Sequence, residues 1–241
     1  MLDLMTLVVV AFGALVGAVA AGAAGFAFAV VASAVWLHAV DPVRSAFLVV
    51  SLGTILHAGL VWKLRRAISW QRLAPFLAGG AVGVPIGVAL LTVTDPAPLR
   101  RALGALLLAF GLYALAVRGL PRIAWGGRGA DATIGLTGGM LGGVGGFAGV
   151  PTTIWTQLRG WPKEVARGVF QPFILASHVA TLVLLGGLTL DARALVLAAA
   201  ALPGLALGAW LGLRLYGRLD EARFRRLLAA FVVLSGLSLL F

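Results

Sequence analysis

The stretch Gly142-Gly143-Val144-Gly145-Gly146-Phe147-Ala148-Gly149-Val150-Pro151-Thr152-Thr153 lies in the middle of an apolar run over 132–158. Gly138 and Gly139 come just before it. A continuous helix through this stretch would lose about 1 kcal/mol per glycine relative to alanine. Pro151 has no N–H to give and fits the first turn of a new helix. The run therefore reads as two short helices joined by a non-helical turn. A second apolar run, over 4–38, is interrupted in the same way at Gly22-Ala23-Ala24-Gly25-Phe26.

The rest of the chain suits hydrocarbon. Its 241 residues are 61% hydrophobic and 11% charged, with 33 Gly and no Cys. Soluble domains carry about 25% charge, and so little polar surface cannot cover one. Disorder, a disulfide scaffold and a thiolate metal site are excluded as well. Charge-poor segments over 44–62, 73–93, 99–117, 167–186, 194–215 and 223–241 are each long enough to cross a bilayer. The first apolar run lacks a basic segment before it and continues into the body of the protein, so it does not read as a signal peptide.

The chain also repeats itself. Shifted by 121 residues, Gly25-Phe26 falls on Gly146-Phe147, Gly83-xxx-Gly87 on Gly204-xxx-Gly208, and His57 on His178. With gaps, Arg44-xx-Phe47 matches Arg167-xx-Phe170, and Arg100-Arg101 matches Arg225-Arg226. Two long repeats in a membrane protein suggest a transporter architecture.

The basic residues choose between topologies. If all eight apolar runs cross, the 19 Lys and Arg divide 11 to 8 between the two faces. If the two glycine-broken runs are hairpins that enter and leave on one side, the split becomes 15 to 4, with only Arg44, Arg100, Arg101 and Arg193 on the poorer face. The second division fits the positive-inside rule. The expected fold is an all-α polytopic membrane protein of two inverted-topology repeats, each a re-entrant helical hairpin plus three transmembrane helices. The first repeat covers 1–118 with its hairpin at 4–38, a basic linker covers 119–131, and the second repeat covers 132–241 with its hairpin at 132–158. Both termini lie outside the cytoplasm, and the net charge of +11 anchors orientation rather than binding nucleic acid.

Non-helical backbone at membrane depth persists only where protein or water surrounds it. The second helix of each hairpin starts there, with unpaired N–H groups and the positive end of its dipole. That is a site for a small anion without a buried cation. The candidate substrate residues are Gly145, Gly146, Phe147, Gly149, Pro151, Thr152 and Thr153, with Gly25 and Phe26 opposite. Gln157, Gln171, Ser177, Ser51 and Thr54 are hydrogen-bond donors nearby, and Arg167 is the cation closest to Gln171. No acidic residue falls well inside a span, which leaves His57 and His178 as candidate proton carriers. Either histidine could equally be a neutral group bonded between helices. For Gly79, Gly83, Gly87 and Gly204, Gly208, Gly212 the four-residue spacing favours close helix packing over a site.

These residues resemble the sulfite exporter TauE/SafE family, also called the toluene-sulfonate uptake permease family. The resemblance covers the whole chain as a doubled unit. It is clearest in the 142–153 stretch and in Arg159-Gly-Trp-Pro-Lys-Glu-Val-Ala-Arg-Gly-Val-Phe-Gln-Pro-Phe173. It implies a multi-pass carrier of a small sulfur-containing anion, sulfite or an organosulfonate, in a bacterial cytoplasmic (inner) membrane. Gln171-Pro172 stands where many relatives have a small residue followed by Thr and Ser. The expected function is secondary transport by alternating access. An anion channel and a carrier of a small organic carboxylate are the alternatives. No Gly-x4-Gly-Lys-Ser/Thr loop, His-Glu-x-x-His motif or intramembrane acidic pair is present, so neither an ATP motor nor an enzyme is expected. No cofactor or metal is expected. The expected partners are the small anion and the lipid bilayer, with no nucleic acid and with a homodimer left open.

Overall fold

In the computed structural model, residues 3–24, 27–116, 122–123, 125–189, 191–215 and 221–241 are described. Gly25 and Phe26, two of the expected site residues, lie outside them. The described residues form helices and no strand: α1 (Leu4–Ala24), α2 (Phe28–Trp36), α3 (Pro42–Leu64), α4 (Trp70–Val93), α5 (Pro96–Ala116), α6 (Gly127–Gly145), α7 (Gly149–Leu158), α8 (Lys163–Thr189), α9 (Ala192–Leu215) and α10 (Glu221–Ser238). The chain is an all-α polytopic membrane protein.

Both glycine-broken runs fold back on themselves. In the first, Trp36 Nε1–H donates to Val10 O at 3.0 Å, so the end of α2 lies beside the start of α1. In the second, Ile123 N–H donates to Leu158 O at 2.7 Å, and Trp155 Nε1–H donates to Asp131 Oδ1 at 2.7 Å. Asp131 is buried, and its carboxylate clamps the two arms of this hairpin. Removing one partner of a buried hydrogen bond leaves the other unsatisfied, at a cost of about 1–3 kcal/mol. Asp131→Ala is therefore expected to lower the melting temperature of the detergent-solubilised protein, and Trp155→Phe to lower it by a similar amount.

The first arm of each hairpin is longer than the short helix expected from the glycine count. The first arms are long, 21 residues in α1 and 19 in α6, and the second arms are short, 9 in α2 and 10 in α7. Helix α6 starts at Gly127 and runs through Gly135, Gly138, Gly139, Gly142 and Gly143 without a break. The reason is tertiary. A Cβ placed on Gly79, Gly83 or Gly87 of α4 would run into the carbonyl oxygens of Ala132, Leu136 and Met140 of α6. In return Gly135, Gly139 and Gly143 of α6 abut Phe76, Gly80 and Val84. The two helices run parallel with their backbones touching, and this packing offsets the propensity cost of the glycines. Helices α1 and α9 do the same, with Gly204, Gly208 and Gly212 against the carbonyls of Ala11, Leu15 and Val19. These six spaced glycines are packing residues.

Six helices among the described residues are long and apolar enough to cross a membrane, within α1, α3, α4, α5, α8 and α9. This set differs from the expected one by including the first arm, Leu4–Gly22, while the described apolar part of α10 is the shorter Ala229–Ser238.

The remaining contacts sort the helix ends into two groups. Helix α8 runs antiparallel to α3, with Gly53 against His178 and Gly168 against Ala67. Helix α10 runs antiparallel to α5, with Gly104 against Leu239 and Gly111 against Val233. One end of the molecule therefore gathers Lys63, Arg65, Arg66, Arg72, Arg122, Arg128, Arg159, Lys163 and Arg167. Arg72 and Arg159 stack on Trp161 there, at 5.0 and 5.7 Å, and Arg159 donates to Trp125 O at 3.0 Å. At the other end Arg44 pairs with Asp41 at 2.9 Å and Asp191 at 3.4 Å, and His38 meets Ser235 at 3.1 Å. Trp62, Trp70 and Trp125 are exposed at the basic end, where an interfacial belt belongs.

Candidate substrate site

The second glycine break ends α6 at Gly146, whose φ of +78° is left-handed. A residue with a Cβ pays about 1–2 kcal/mol for that conformation, so glycine is needed here. The turn closes on two nested bonds: Gly146 N–H donates to Gly142 O at 2.7 Å, and Phe147 N–H donates to Leu141 O at 3.1 Å. Phe147 is buried, and Val150 N–H turns back to Phe147 O at 3.0 Å. Helix α7 then starts with no side-chain cap.

The carbonyl of Gly146 is the point where the turn meets the core. His178 Nε2–H of α8 donates to it at 3.1 Å. The His178 ring lies edge-on to the His57 ring of α3, centroids 5.4 Å apart. His57 Nδ1–H donates to Gln171 Oε1 at 2.6 Å. All three side chains are buried. Gly53 of α3 leaves room for the His178 ring, since a Cβ there would lie 2.6 Å from both Cε1 and Nδ1. Phe28, the first residue of α2, borders Gly53, and Val49 one turn earlier abuts Gly146. The two hairpins thus converge on one turn of α3, from opposite ends of the molecule.

Three buried polar atoms on α7 and α8 have no hydrogen-bond partner among the described residues: His178 Nδ1, Thr153 Oγ1 of α7 and Thr181 Oγ1 of α8. With its hydrogen on Nε2, His178 presents Nδ1 as a lone pair. Thr181 follows His178 by one helical turn. Buried polar groups are nearly always bonded, so each of these exceptions calls for an explanation.

The other expected donors are placed differently. Thr152 Oγ1–H is spent on Ala148 O at 2.9 Å, Ser51 on Phe47 O at 2.7 Å, and Thr54 on Val50 O at 2.6 Å. Gln157 is exposed at the far end of α7. Arg167 is half-buried on α8 three turns before His178, about 16 Å away along the helix. The junction therefore unites Gly145, Gly146, Phe147, His57, His178 and Gln171, while Gln157 and Arg167 stand apart from it. Thr181 was not among the expected residues. Its spacing of three from His178 was the available signal.

The sequence model for the sulfite exporter TauE/SafE family matches residues 9–239. No curated protein and no solved structure matches the chain. The match spans both hairpins and all the helices that pack on them, so this chain, a multi-pass inner-membrane transporter and not an enzyme, belongs to the sulfite exporter TauE/SafE family.

Proposed function

We propose that the protein is a secondary carrier of a small sulfur-containing oxyanion, held where the Gly145–Ala148 turn meets His178. The observation that carries this reading is His178 Nδ1, buried without a partner on the ring that bonds the Gly146 carbonyl, with the unpartnered hydroxyls of Thr153 on α7 and Thr181 on α8 in the same two helices. Two hydroxyl donors and a helix start with about half a positive charge suit a small oxyanion without a neutralising cation. His178 needs a proton on Nδ1 to become a third donor, which would couple binding to protonation. His57, hydrogen-bonded to Gln171, is the second candidate for that proton.

Alternating access follows from the doubled architecture. We take 1–118 and 132–241 as inverted repeats, with the basic end in the cytoplasm as the positive-inside rule requires. The packing pattern supports this: exchanging α1–α5 with α6–α10 turns the α1–α9 contact into α6–α4 and leaves α3–α8 and α5–α10 unchanged. Movement of one half against the other would expose the junction to each side in turn.

Calorimetric titration of the purified protein with sulfite, sulfate, an alkylsulfonate and acetate tests the reading. Saturable heats are expected for one or more of the sulfur oxyanions and none for acetate. Binding of acetate alone would assign the site to carboxylates instead. His178→Gln keeps a donor in place of Nε2 but cannot take up a proton. It is expected to remove any pH dependence of transport that runs through His178, measured as initial uptake rates in proteoliposomes.

A further inference from the structure

We propose that a groove between α1, α3 and α9 binds an anionic phospholipid of the surrounding bilayer, one acyl chain in the groove and its phosphate at Lys63. The cavity there is about 400 Å³, within the range of ordinary ligand sites. Gly22, Leu56, Gly59, Leu60, Leu205 and Ala209 line it, and Lys63 is the charged residue among the described residues of its wall. None of the side chains of the His57–His178 junction lines it.

The lining selects the ligand chemistry. A small oxyanion needs donors, and the described lining offers one ammonium group and otherwise apolar side chains. Methylene groups gain from burial against its walls at about 25 cal/mol per Å². The groove opens sideways, between Ile55, which is 57% exposed, and Leu202, which is 44% exposed, on the flank that faces lipid. Beside Gly59 there is open space, with no atom within 4 Å of where a Cβ would be.

The cation sits at headgroup depth. Lys63 closes α3 next to the exposed Trp62, and Trp70 starts α4 just beyond. Tryptophans mark the membrane–water interface. Arg65 is turned away onto Trp62, 4.7 Å from its ring and bonded to its carbonyl at 2.8 Å. Arg214, next to the lining residue Leu213, is likewise held on Trp210 at 3.9 Å, and Lys63 is the cation among the described residues that line the groove. A basic residue between helices on the cytoplasmic side is where an anionic headgroup is held.

The test uses native mass spectrometry of the full chain released from mixed micelles, titrated with phosphatidylglycerol, phosphatidylcholine or glycerol 3-phosphate. One phosphatidylglycerol is expected to be retained, with phosphatidylcholine weaker and glycerol 3-phosphate not retained. Lys63→Gln should weaken phosphatidylglycerol by roughly fivefold. Gly59→Leu fills the open space and should weaken both lipids. Ala206→Leu, on the exposed side of α9, repeats that test should Gly59→Leu lower the yield of folded protein. Equal retention of the two lipids, retention of glycerol 3-phosphate alone, or full retention in both groove-filling variants would overturn the proposal.

Discussion

Thr153→Val is expected to reduce transport at least about tenfold and to raise the melting temperature. The substitution keeps the shape of the side chain and removes a hydroxyl that is buried with no partner. An unsatisfied buried hydroxyl costs the folded state about 1–3 kcal/mol. Relief of each kcal/mol raises the melting temperature of a chain this size by about 2–4 °C. If the hydroxyl serves the anion, its loss should reduce transport at least about tenfold, the equivalent of 1.4 kcal/mol. Thr152→Val and Thr156→Val are the controls. Their hydroxyls already bond carbonyls of their own segment, Ala148 O at 2.9 Å and Thr153 O at 3.0 Å. Transport in those variants is expected to stay within about twofold of the parent, since no donor to a ligand is lost. Uptake assays and thermal melts on the same three preparations decide the matter.

Gly83→Val is expected to destabilise the packed helices strongly. Its Cβ would run into Leu136 O and lie 2.9 Å from Met140 N, both of them backbone atoms of α6. Backbone cannot swing aside as a flexible side chain can, so α4 and α6 must separate along their length. Overpacking of this sort costs about 1–3 kcal/mol and occasionally more, against a total stability of about 5–15 kcal/mol. Gly208→Val, against Leu15 O in the α1–α9 contact, should do the same. Gly59→Ala is the counterpart with the opposite sign. Its Cβ meets nothing, so the helix-propensity gain of about 1 kcal/mol remains. Size-exclusion profiles of detergent extracts should show monodisperse Gly59→Ala and little monodisperse Gly83→Val.

Much of this was readable from residue order. Glycines every fourth residue imply a flat helix face, and α4 and α9 use those faces as expected. The irregular glycines of 142–149 imply a break, and the chain reverses there. The length of the arms was not readable, because whether Gly135–Gly143 stays helical depends on α4 lying against it, a partner some fifty residues away in sequence. The same holds for the Asp131–Trp155 clamp. Asp131 reads as a loop residue next to Arg128 and Gly129, and only the return of α7 gives its carboxylate a buried donor. His57 and His178 stood out as buried titratable groups at equivalent positions in the two halves. Their 5.4 Å approach needed α3 and α8 to run antiparallel, which spacing alone does not reveal. Thr153 and Thr181 differ from Thr152 and Thr156 only in whether a carbonyl is within reach, and that is a property of the packed helices.

The most direct test of the central reading is counterflow. Proteoliposomes preloaded with unlabelled sulfite would be given a trace of labelled sulfite outside. A carrier that binds its anion at the Gly146–His178 junction predicts saturable uptake, faster in loaded vesicles than in empty ones, and reduced at least about tenfold in Thr153→Val. Uptake that rises linearly with concentration and is indifferent to the internal load would contradict it and assign the chain a channel mechanism.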